Sequence, residues 1–460
     1  MSKKITRRQF ARLSLGSMAF AGLACSGIEK NTRADILPSA NAYGPLSSDP
    51  KGLLDLPAGF SYQVISEFGE KMSDGMRVPD RADGMGCIPL SSSLVALVRN
   101  QELRPEHRDG FGPIVNTGVP PEKVFDSVDS APLPGGTTTL IYDVEKGQRV
   151  DEYLSLIGTI RNCAGGVTPW GTWLSCEEAV QTPADGVTKF HGWVFEVDPK
   201  EKGIADPVPL KAMGRFNHEA ACIDPRSGII YLTEDRSDSL LYRFIPKEQG
   251  NLKAGGTLQA LCVRDFPKMD TRNWSGKLMP KHSEYDTYWV DIINPESPND
   301  DLRYQGIKKG AAIFARGEGI HWGDGELYFC CTSGGGKKLG QVMRYVPAAE
   351  NKKIEGSSAG TLSLFVESEN EAFYNFGDNL TVAPNGHLIV CEDQYLDVVE
   401  NHLRGVTPEG KIYTFAKLRT QTELAGACFS PDGKTLFVNV YSPAKTLAIT
   451  GPWEAFVSER

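Results

Sequence analysis

The 460-residue chain carries 58 acidic against 49 basic residues, a formal charge of -9. That balance argues against a broad nucleic-acid footprint, which needs a net basic surface, and nucleic acid is not an expected partner. Apolar residues make up 40% of the chain, enough for a sizeable core, and the length fits a single large all-β domain.

The first residues read as an address. Lys3, Lys4, Arg7 and Arg8 form a basic region, and Thr6-Arg7-Arg8-Gln9-Phe10 resembles a twin-arginine export signal. The apolar stretch from Leu13 to Ala24 is too short, and too rich in Gly and Ser, for a stable membrane span. Residues 1–42 are therefore expected to be signal peptide and leader, with cleavage after Ala40-Asn41-Ala42, and 43–460 a single catalytic domain. The twin-arginine machinery becomes an expected partner, and the location periplasmic or secreted. Cys25 keeps a lipoprotein anchor open, although Gly22 stands where a lipobox favours a larger aliphatic residue.

Short β-rich runs separated by Gly, Pro, Asp and Asn dominate the rest, and one unit recurs. A polar residue opens a short apolar strand, a Gly-containing turn follows, and the return strand ends in polar residues. Asp83 opens a loose first copy that ends at Asn100 and Glu102. Asn162-Cys163 opens the next, turning at Pro169-Trp170-Gly171 and ending at Glu177-Glu178. His218-Glu219 leads through Asp224-Pro225-Arg226-Ser227-Gly228 to Glu234-Asp235. Glu318 leads through Gly323-Asp324-Gly325 to Cys330-Cys331. Asp378-Asn379 leads through Pro384-Asn385-Gly386 to Glu392-Asp393. Glu423 leads through Pro431-Asp432-Gly433 to Asn439. About six such units predict an all-β, six-bladed β-propeller with inserted loops or small helices, the insertions falling near 104–133 and 263–309 as lids or surface excursions.

In a hairpin, the start of the first strand and the end of the second lie at one edge. Radial blades would bring those edges to one mouth, gathering Asp83, Asn100, Glu102, Cys163, Glu177, Glu178, Glu219, Glu234, Asp235, Glu318, Asp378, Glu392 and Asp393. So many carboxylates cannot stay ionised together without counter-charge. Calcium suits a carboxylate and Asn oxygen set, with Asn379 either a ligand or a turn former. A thiolate at Cys163 favours a transition metal, which hints at a mixed site. Arg316 shares a strand face with Glu318. It is placed either to hold a phosphate oxygen or to pair with an acid. Arg161, two before Cys163, has the same choice, and Arg236 is a weaker case. Of the ten cysteines, Cys222, Cys391 and Cys428 sit in apolar runs and read as small buried hydrophobes; no zinc-type spacing occurs.

Asn162-Cys163-Ala164-Gly165-Gly166-Val167-Thr168-Pro169-Trp170-Gly171-Thr172, followed by Cys176-Glu177-Glu178, closely resembles the PhoX-type alkaline phosphatases. So do Gly214-Arg215-Phe216-Asn217-His218-Glu219, Thr233-Glu234-Asp235-Arg236, Arg316-Gly317-Glu318-Gly319 and Phe429-Ser430-Pro431-Asp432-Gly433, in colinear order. The resemblance implies hydrolysis of phosphate monoesters over two ferric ions (Fe3+) and two or three calcium ions (Ca2+). Cys163 with some of Glu178, Glu219, Glu234 and Glu318 would hold metal. Arg316, assisted by Arg161, would bind the substrate phosphate, so that Arg316, Glu318 and Cys163 carry the catalysis. Glu102, Glu177, Asp235, Asp378, Asn379, Glu392 and Asp393 would complete the calcium shells. The family's Asn-His-Glu is Asn100-Gln101-Glu102 in this chain. Two other classes compete: a single-calcium propeller hydrolase of lactones or phosphotriesters, and a noncatalytic binding propeller.

Overall fold

A computed structural model describes residues 42–107, 111–112, 118–348 and 359–455. The expected export signal, Cys25 and all of the leader before Ala42 lie outside the described residues. Ala42 itself is packed into the apolar core with Leu54, Phe415 and Leu418.

Six antiparallel blades follow one another along the chain. Blade 1 is Ala82–Pro89, Leu94–Gln101, Gly135–Asp143 and Gln148–Thr159. Blade 2 is shorter, with Asn162–Val167, Trp173–Glu177 and Val194–Val197. Blade 3 contains His218–Ile223, Ile230–Glu234, Tyr242–Pro246 and Gly256–Val263. Blade 4 contains Gly317–Trp322, Leu327–Cys331, Gln341–Pro347 and Gly360–Glu367. Blade 5 contains Gly377–Val382, Leu388–Glu392, His402–Val406 and Ile412–Leu418. In blade 6, Leu424–Phe429, Thr435–Val440 and Lys445–Thr450 are completed by Ser61–Glu67 from the other end of the chain. The first strand of each blade packs on the first strands of its two neighbours, closing a ring around the axis.

The 263–309 insertion is not a surface excursion. Its strand Glu284–Asp291 pairs along Gln259–Val263 of blade 3 and then, through Glu284–Asp286, with Thr361–Ser363 of blade 4. The two blades share one continuous sheet of nine strands. Arg215 ties the same insertion to blade 2: its backbone N–H donates to Pro295 (2.7 Å), while its guanidinium donates to the carbonyls of Pro298, Val180 and Gln181. In the 104–133 insertion the described parts are two short 3-10 turns and the small Ser127–Val128/Ala131–Pro132 hairpin. No helix among the described residues is long and apolar enough to cross a membrane.

One irregularity repeats in all six blades. Near its start, the inner strand carries one more residue than its partner: Ala82 to Met85 lies opposite Gln101 to Arg99, and Asn162 to Gly165 opposite Glu177 to Ser175. The same shift occurs at His218/Ala221, Gly317/Ile320, Gly377/Leu380 and Ala425/Cys428. An extra residue bends the strand and re-aims its side chain. Several residues at or next to the re-aimed position are small because inner strands touch there. A Cβ on Gly84 would stand 2.4 Å from the Ala164 Cα, and one on Gly426 2.4 Å from the Asp83 carbonyl oxygen. Gly426 also has a φ of 61°, which only glycine adopts freely. Gly426→Ala is expected to cost about 2 kcal/mol or more of stability, since overpacking and a left-handed backbone add. Urea unfolding of the chelator-treated protein measures this, and an unchanged midpoint would contradict the close packing of the ring.

Candidate metal centre

The repeated bulge explains the centre. It turns Asp83, Cys163, Glu219, Glu318 and Asp378, each the second residue of its inner strand, toward the axis. Blade 6 has Gly426 at that position of the bulge and supplies Glu423, three residues earlier, instead. Return strands add the residue just past their last paired one, Glu178 in blade 2 and Asp393 in blade 5. Ligand atoms lie within 4.8 Å of one another in three groups: Cys163, Glu178 and Glu219; Glu219, Glu318 and Asp378; Asp378, Asp393 and Glu423. Glu219 and Asp378 are each shared, so the groups form one chain of six carboxylates and a thiol. The Cys163 thiol donates to Asp83 Oδ2 (3.2 Å), attaching a further carboxylate.

Burial, then the charges of Glu318 and Asp378, holds Glu219 well above the usual carboxylate range. Glu318 and Asp83 are displaced the same way, by burial and then by neighbouring carboxylates. Glu423 is raised by burial and by Asp393. Glu178 is pushed up to about 8 by burial although Arg161 opposes the shift, and Asp378 to about 7 by burial and Asp393. Burial and Asp83 likewise raise the Cys163 thiol. Both carboxylate oxygens of Glu219 are buried without a hydrogen bond. A buried carboxylate with no donor is costly. Unfilled oxygens in the middle of an acidic chain are what a bound cation would satisfy, so the donor set fits hard cations, with the sulfur at one end suited to a transition ion.

Two arginines border the chain of acids. Arg316 places Nε and Nη2 on the two oxygens of Asp235 (2.7 and 2.8 Å), and Nη2 lies 2.9 Å from Glu318 Oε1. Arg161 binds Glu102 Oε1 through Nε (2.8 Å) and pairs with Glu178 through Nη2. Glu102 also accepts from the Tyr441 hydroxyl, to which Arg81 Nη1 donates (3.0 Å). Asp235 and Glu102 thus sit at the mouth as arginine partners.

Glu177, Glu234 and Glu392, expected in the ring, point away from it. Each is the last paired residue of its return strand, opposite Asn162, His218 and Gly377. Alternation sends that side chain to the other face from its successor. Glu177 instead accepts from the backbone N–H groups of Ile160 (3.1 Å), Gly192 (2.9 Å) and Trp193 (3.2 Å) and contacts His191 Nδ1 at 2.6 Å. His191 Nε2 lies 3.1 Å from Asp126. Against its burial, the carboxylates of Glu177 and Asp126 raise His191 to about 9. Glu234 accepts from Tyr242 (3.0 Å) and Leu240 N (3.3 Å), and Glu392 from Asn375 N (2.9 Å) and Arg404 (2.7 Å) with His402 at 2.8 Å. Asn100 braces blades 1 and 2, donating to the Ala164 carbonyl (2.7 Å) and accepting from Trp173 and Ser175 (2.9 Å each). Asn379 Oδ1 accepts from Gly426 N (2.8 Å) and its Nδ2 donates to Asp378 (3.0 Å), joining blades 5 and 6. Gln101 turns outward to Thr138 and the Arg99 carbonyl (3.0 Å each), so the departure from the family's histidine does not face the centre. Arg236 pairs with Asp300 (3.0 Å). Glu423 opens a repeat in the sequence, but only the centre's geometry assigns it to the acids.

A closed six-bladed propeller with a buried thiol-and-carboxylate chain at its axial mouth defines a metal-centre type of propeller. The chain belongs to the alkaline phosphatase PhoX family, whose model matches residues 41–150 and 136–444. Among solved structures, Pseudomonas fluorescens PhoX in complex with vanadate, a transition state analogue, is similar over 91% of this chain and 97% of its own, at 19% identity and a TM-score of 0.66. Two more distant similarities are to XC5397, a gluconolactonase from Xanthomonas campestris (12% identity, 85% and 98% coverage, TM-score 0.38), and to the β-propeller domain of Cps50 (Swd1) from Myceliophteria thermophila (10%, 83% and 99%, TM-score 0.42). They carry no argument about the site. Among curated proteins, no sequence matches the chain.

The paired glutamates of blade 2 have separable roles. Glu177→Ala is expected to cost about 3–5 kcal/mol by stranding buried His191, with metal content kept in whatever protein folds. Glu178→Gln is expected to lose metal and keep the fold. Urea unfolding and metal analysis of the two variants check this.

The metal-free protein has a definite pH dependence. Glu178 and Asp378 titrate near 8 and 7 when folded, against about 4 when unfolded. Their contribution is complete below pH 4 and is lost as pH rises through 8, at about 1.4 kcal/mol per pH unit for each carboxyl forced to ionise. Chelator-treated protein should therefore melt lower at pH 8.5 than at pH 5.5, and calcium should recover most of the difference. A higher melting temperature at pH 8.5 without metal would show that these acids do not repel one another in the fold.

Proposed function

We propose that the protein is a metal-dependent hydrolase of phosphate monoesters. The observation that carries the reading is the chain of buried and half-buried acids ending in Cys163, bordered by two arginines, in a member of the alkaline phosphatase PhoX family. The sulfur-containing group, Cys163 with Glu178 and Glu219 and extended by Glu318, suits iron, in line with the two ferric ions the family resemblance implies. The all-oxygen group of Asp378, Asp393 and Glu423 suits calcium, of which two or three ions are expected. Bound there, the cations would neutralise phosphate charge and act as Lewis acids on its oxygens.

The residues of the chain supply orientation. Asp235 grips the Nε/Nη2 edge of Arg316, which fixes the plane of the guanidinium. Among the described residues its Nη1 has no hydrogen-bond partner, and neither has Nη1 of Arg161, held in the same way by Glu102 and Glu178. Two pre-aimed donors thus border the acids, where they can take phosphate oxygens and stabilise charge built up during transfer. Neither arginine needs to reorganise to do this, because each is already locked by its carboxylate. The twin-arginine-like start supports a periplasmic or secreted location.

Purified protein is expected to contain iron and calcium and to hydrolyse p-nitrophenyl phosphate at alkaline pH, with loss of activity on chelation. Cys163→Ala should abolish turnover while the fold persists. Arg316→Ala should lower kcat/KM by about 100-fold, the scale seen when one pre-aimed donor is removed. Full activity in Cys163→Ala with calcium alone would instead identify a single-calcium propeller hydrolase, and metal-loaded protein without phosphatase activity would overturn the reading.

A further inference from the structure

The loop after Asp393 exposes several large apolar side chains, interrupted by Asp397, beside the charged mouth. Tyr395, Leu396 and Val398 are 59%, 54% and 68% exposed. The loop is not loose. Gln394 Nε2 donates to the Glu400 carbonyl (2.9 Å), Glu400 N returns a bond to Gln394 Oε1 (3.1 Å), Gln394 N donates to Asn401 (3.0 Å) and Val399 N to Gln421 (3.0 Å). Its base is pinned from both sides, and the apolar tip is held in water by the pins. Large apolar side chains fixed in solvent beside a polar site mark a surface that something covers.

Tyr395 stands against Arg316. The Arg316 Cζ is 5.1 Å from the ring centroid, and Nη2 donates to the phenol oxygen (3.2 Å). Behind it, Phe376 meets the Tyr395 ring edge-on, with centroids 5.6 Å apart at 83°. Arg316 and Phe376 occupy equivalent positions in adjacent blades, each two residues before an acid of the centre, Glu318 and Asp378. Both have left-handed backbones, with φ of 55° and 54°. Bulky residues adopt that conformation rarely, and it concentrates where a side chain must be held in one place for function. The fold sets a cation and an aromatic ring side by side at the rim, with Tyr395 bridging them.

We propose that Tyr395, flanked by Leu396 and Val398, is the platform for the organic group of the substrate, so that the enzyme prefers phosphate monoesters with aromatic or apolar alkyl groups over sugar or glycerol phosphates. This rests on the phosphatase reading above. A phosphate held by Arg316 and the centre would carry its ester substituent at the rim, where Tyr395 is the exposed aromatic neighbour of Arg316. An apolar substituent there removes exposed apolar surface from water. A polyhydroxylated one presses hydroxyls against Tyr395, Leu396 and Val398, which return few hydrogen bonds.

The test compares 2-phenylethyl phosphate with glycerol 3-phosphate, two alkyl esters of similar leaving-group chemistry, on metal-replete protein. The wild type is expected to favour the phenylethyl ester. Tyr395→Ser should reduce that preference about tenfold, mostly through KM, and Leu396→Ser/Val398→Ser should reduce it in the same direction. Tyr395→Phe, which keeps the ring and loses the bond to Arg316, should slow both esters alike and retain the preference. Calorimetric Kd values for 2-phenylethylphosphonate against methylphosphonate should follow the same order without turnover. If Tyr395→Ser slows both esters equally and leaves the phosphonate ratio unchanged, the residue serves Arg316 alone and the platform is refuted. An unchanged ratio together with a dimer lost in Leu396→Ser/Val398→Ser assigns the loop to self-association, which also refutes it. If neither ester turns over, the phosphatase reading fails, while the phosphonate ratio still reads the platform.

Discussion

Mutual repulsion among carboxylates at the propeller axis is the constraint on which the rest of the molecule turns. Six acids and a thiol share one connected space, in which Cys163, Glu178, Glu219 and Glu318 are buried and Asp378, Asp393 and Glu423 half-buried. Without a cation, burial and mutual repulsion favour their protonated forms, pushing Glu178 up to about 8 and Asp378 to about 7. The ring tolerates them because the surrounding polar groups are disposed in two layers. Acids facing the axis have few protein donors, as both oxygens of Glu219 show. Of the acids facing away, Glu177 and Glu392 are surrounded by backbone N–H groups, histidine and arginine, and Glu234 is held through one oxygen by Tyr242 and Leu240 with Arg303 3.6 Å from the other. The axial set is the one with room for an external cation, while the outward set is held by the protein's own groups.

The repeat, the blade number and the edge at which polar residues gather were legible from strand-turn-strand spacing, because β-hairpins place chain ends together whatever their composition. The acid pairs were legible only as pairs. In Glu177-Glu178 and Glu392-Asp393, composition gives two candidates and pleating admits one to the axis. Which one depends on where pairing stops, and pairing stops one residue before the axis-facing member in both. The inner-strand bulge was invisible for a related reason. It appears in sequence only as small residues such as Gly84, Ala164, Ala220 and Gly319, which also serve many ordinary turns and strands. Glu423 was missed because its blade offers Gly426 where the other five offer a ligand. The site there is filled from outside the repeat's own pattern.

The left-handed backbone two residues before the axis-facing side chain is shared by Arg81, Arg161, Arg316 and Phe376, with φ from 46° to 57°. Each such residue costs about 1–3 kcal/mol relative to relaxed backbone. Four at one level mean that the fold stores several kcal/mol in a tier above the acids. Three of the four are arginines. Two of them, Arg161 and Arg316, are anchored by carboxylates, and the third, Arg81, by the hydroxyl of Tyr441, which is itself bonded to Glu102. The acids of the mouth therefore divide again, into those that meet cations supplied from solution and those that aim cations supplied by the chain.

Blade 6 joins Ser61–Glu67 to Lys445–Thr450, so its outermost strand is made early in synthesis and its other three late. Blades 1 to 5 can form their hairpins as they emerge, but the circle is open until the last strands reach the first. The acids straddle that seam: Asp83 lies just inside the chain's first blade, and Glu423 opens its last. A growing chain thus carries individual acids at solvated strand ends, where they ionise freely and bind metal weakly. Docking of successive blades brings together the groups from Cys163 to Glu423, and closure adds Asp83 of the first blade beside the last. The centre is therefore assembled blade by blade, and the closing contact between the inner strands of blades 6 and 1 completes its wall around Asp83.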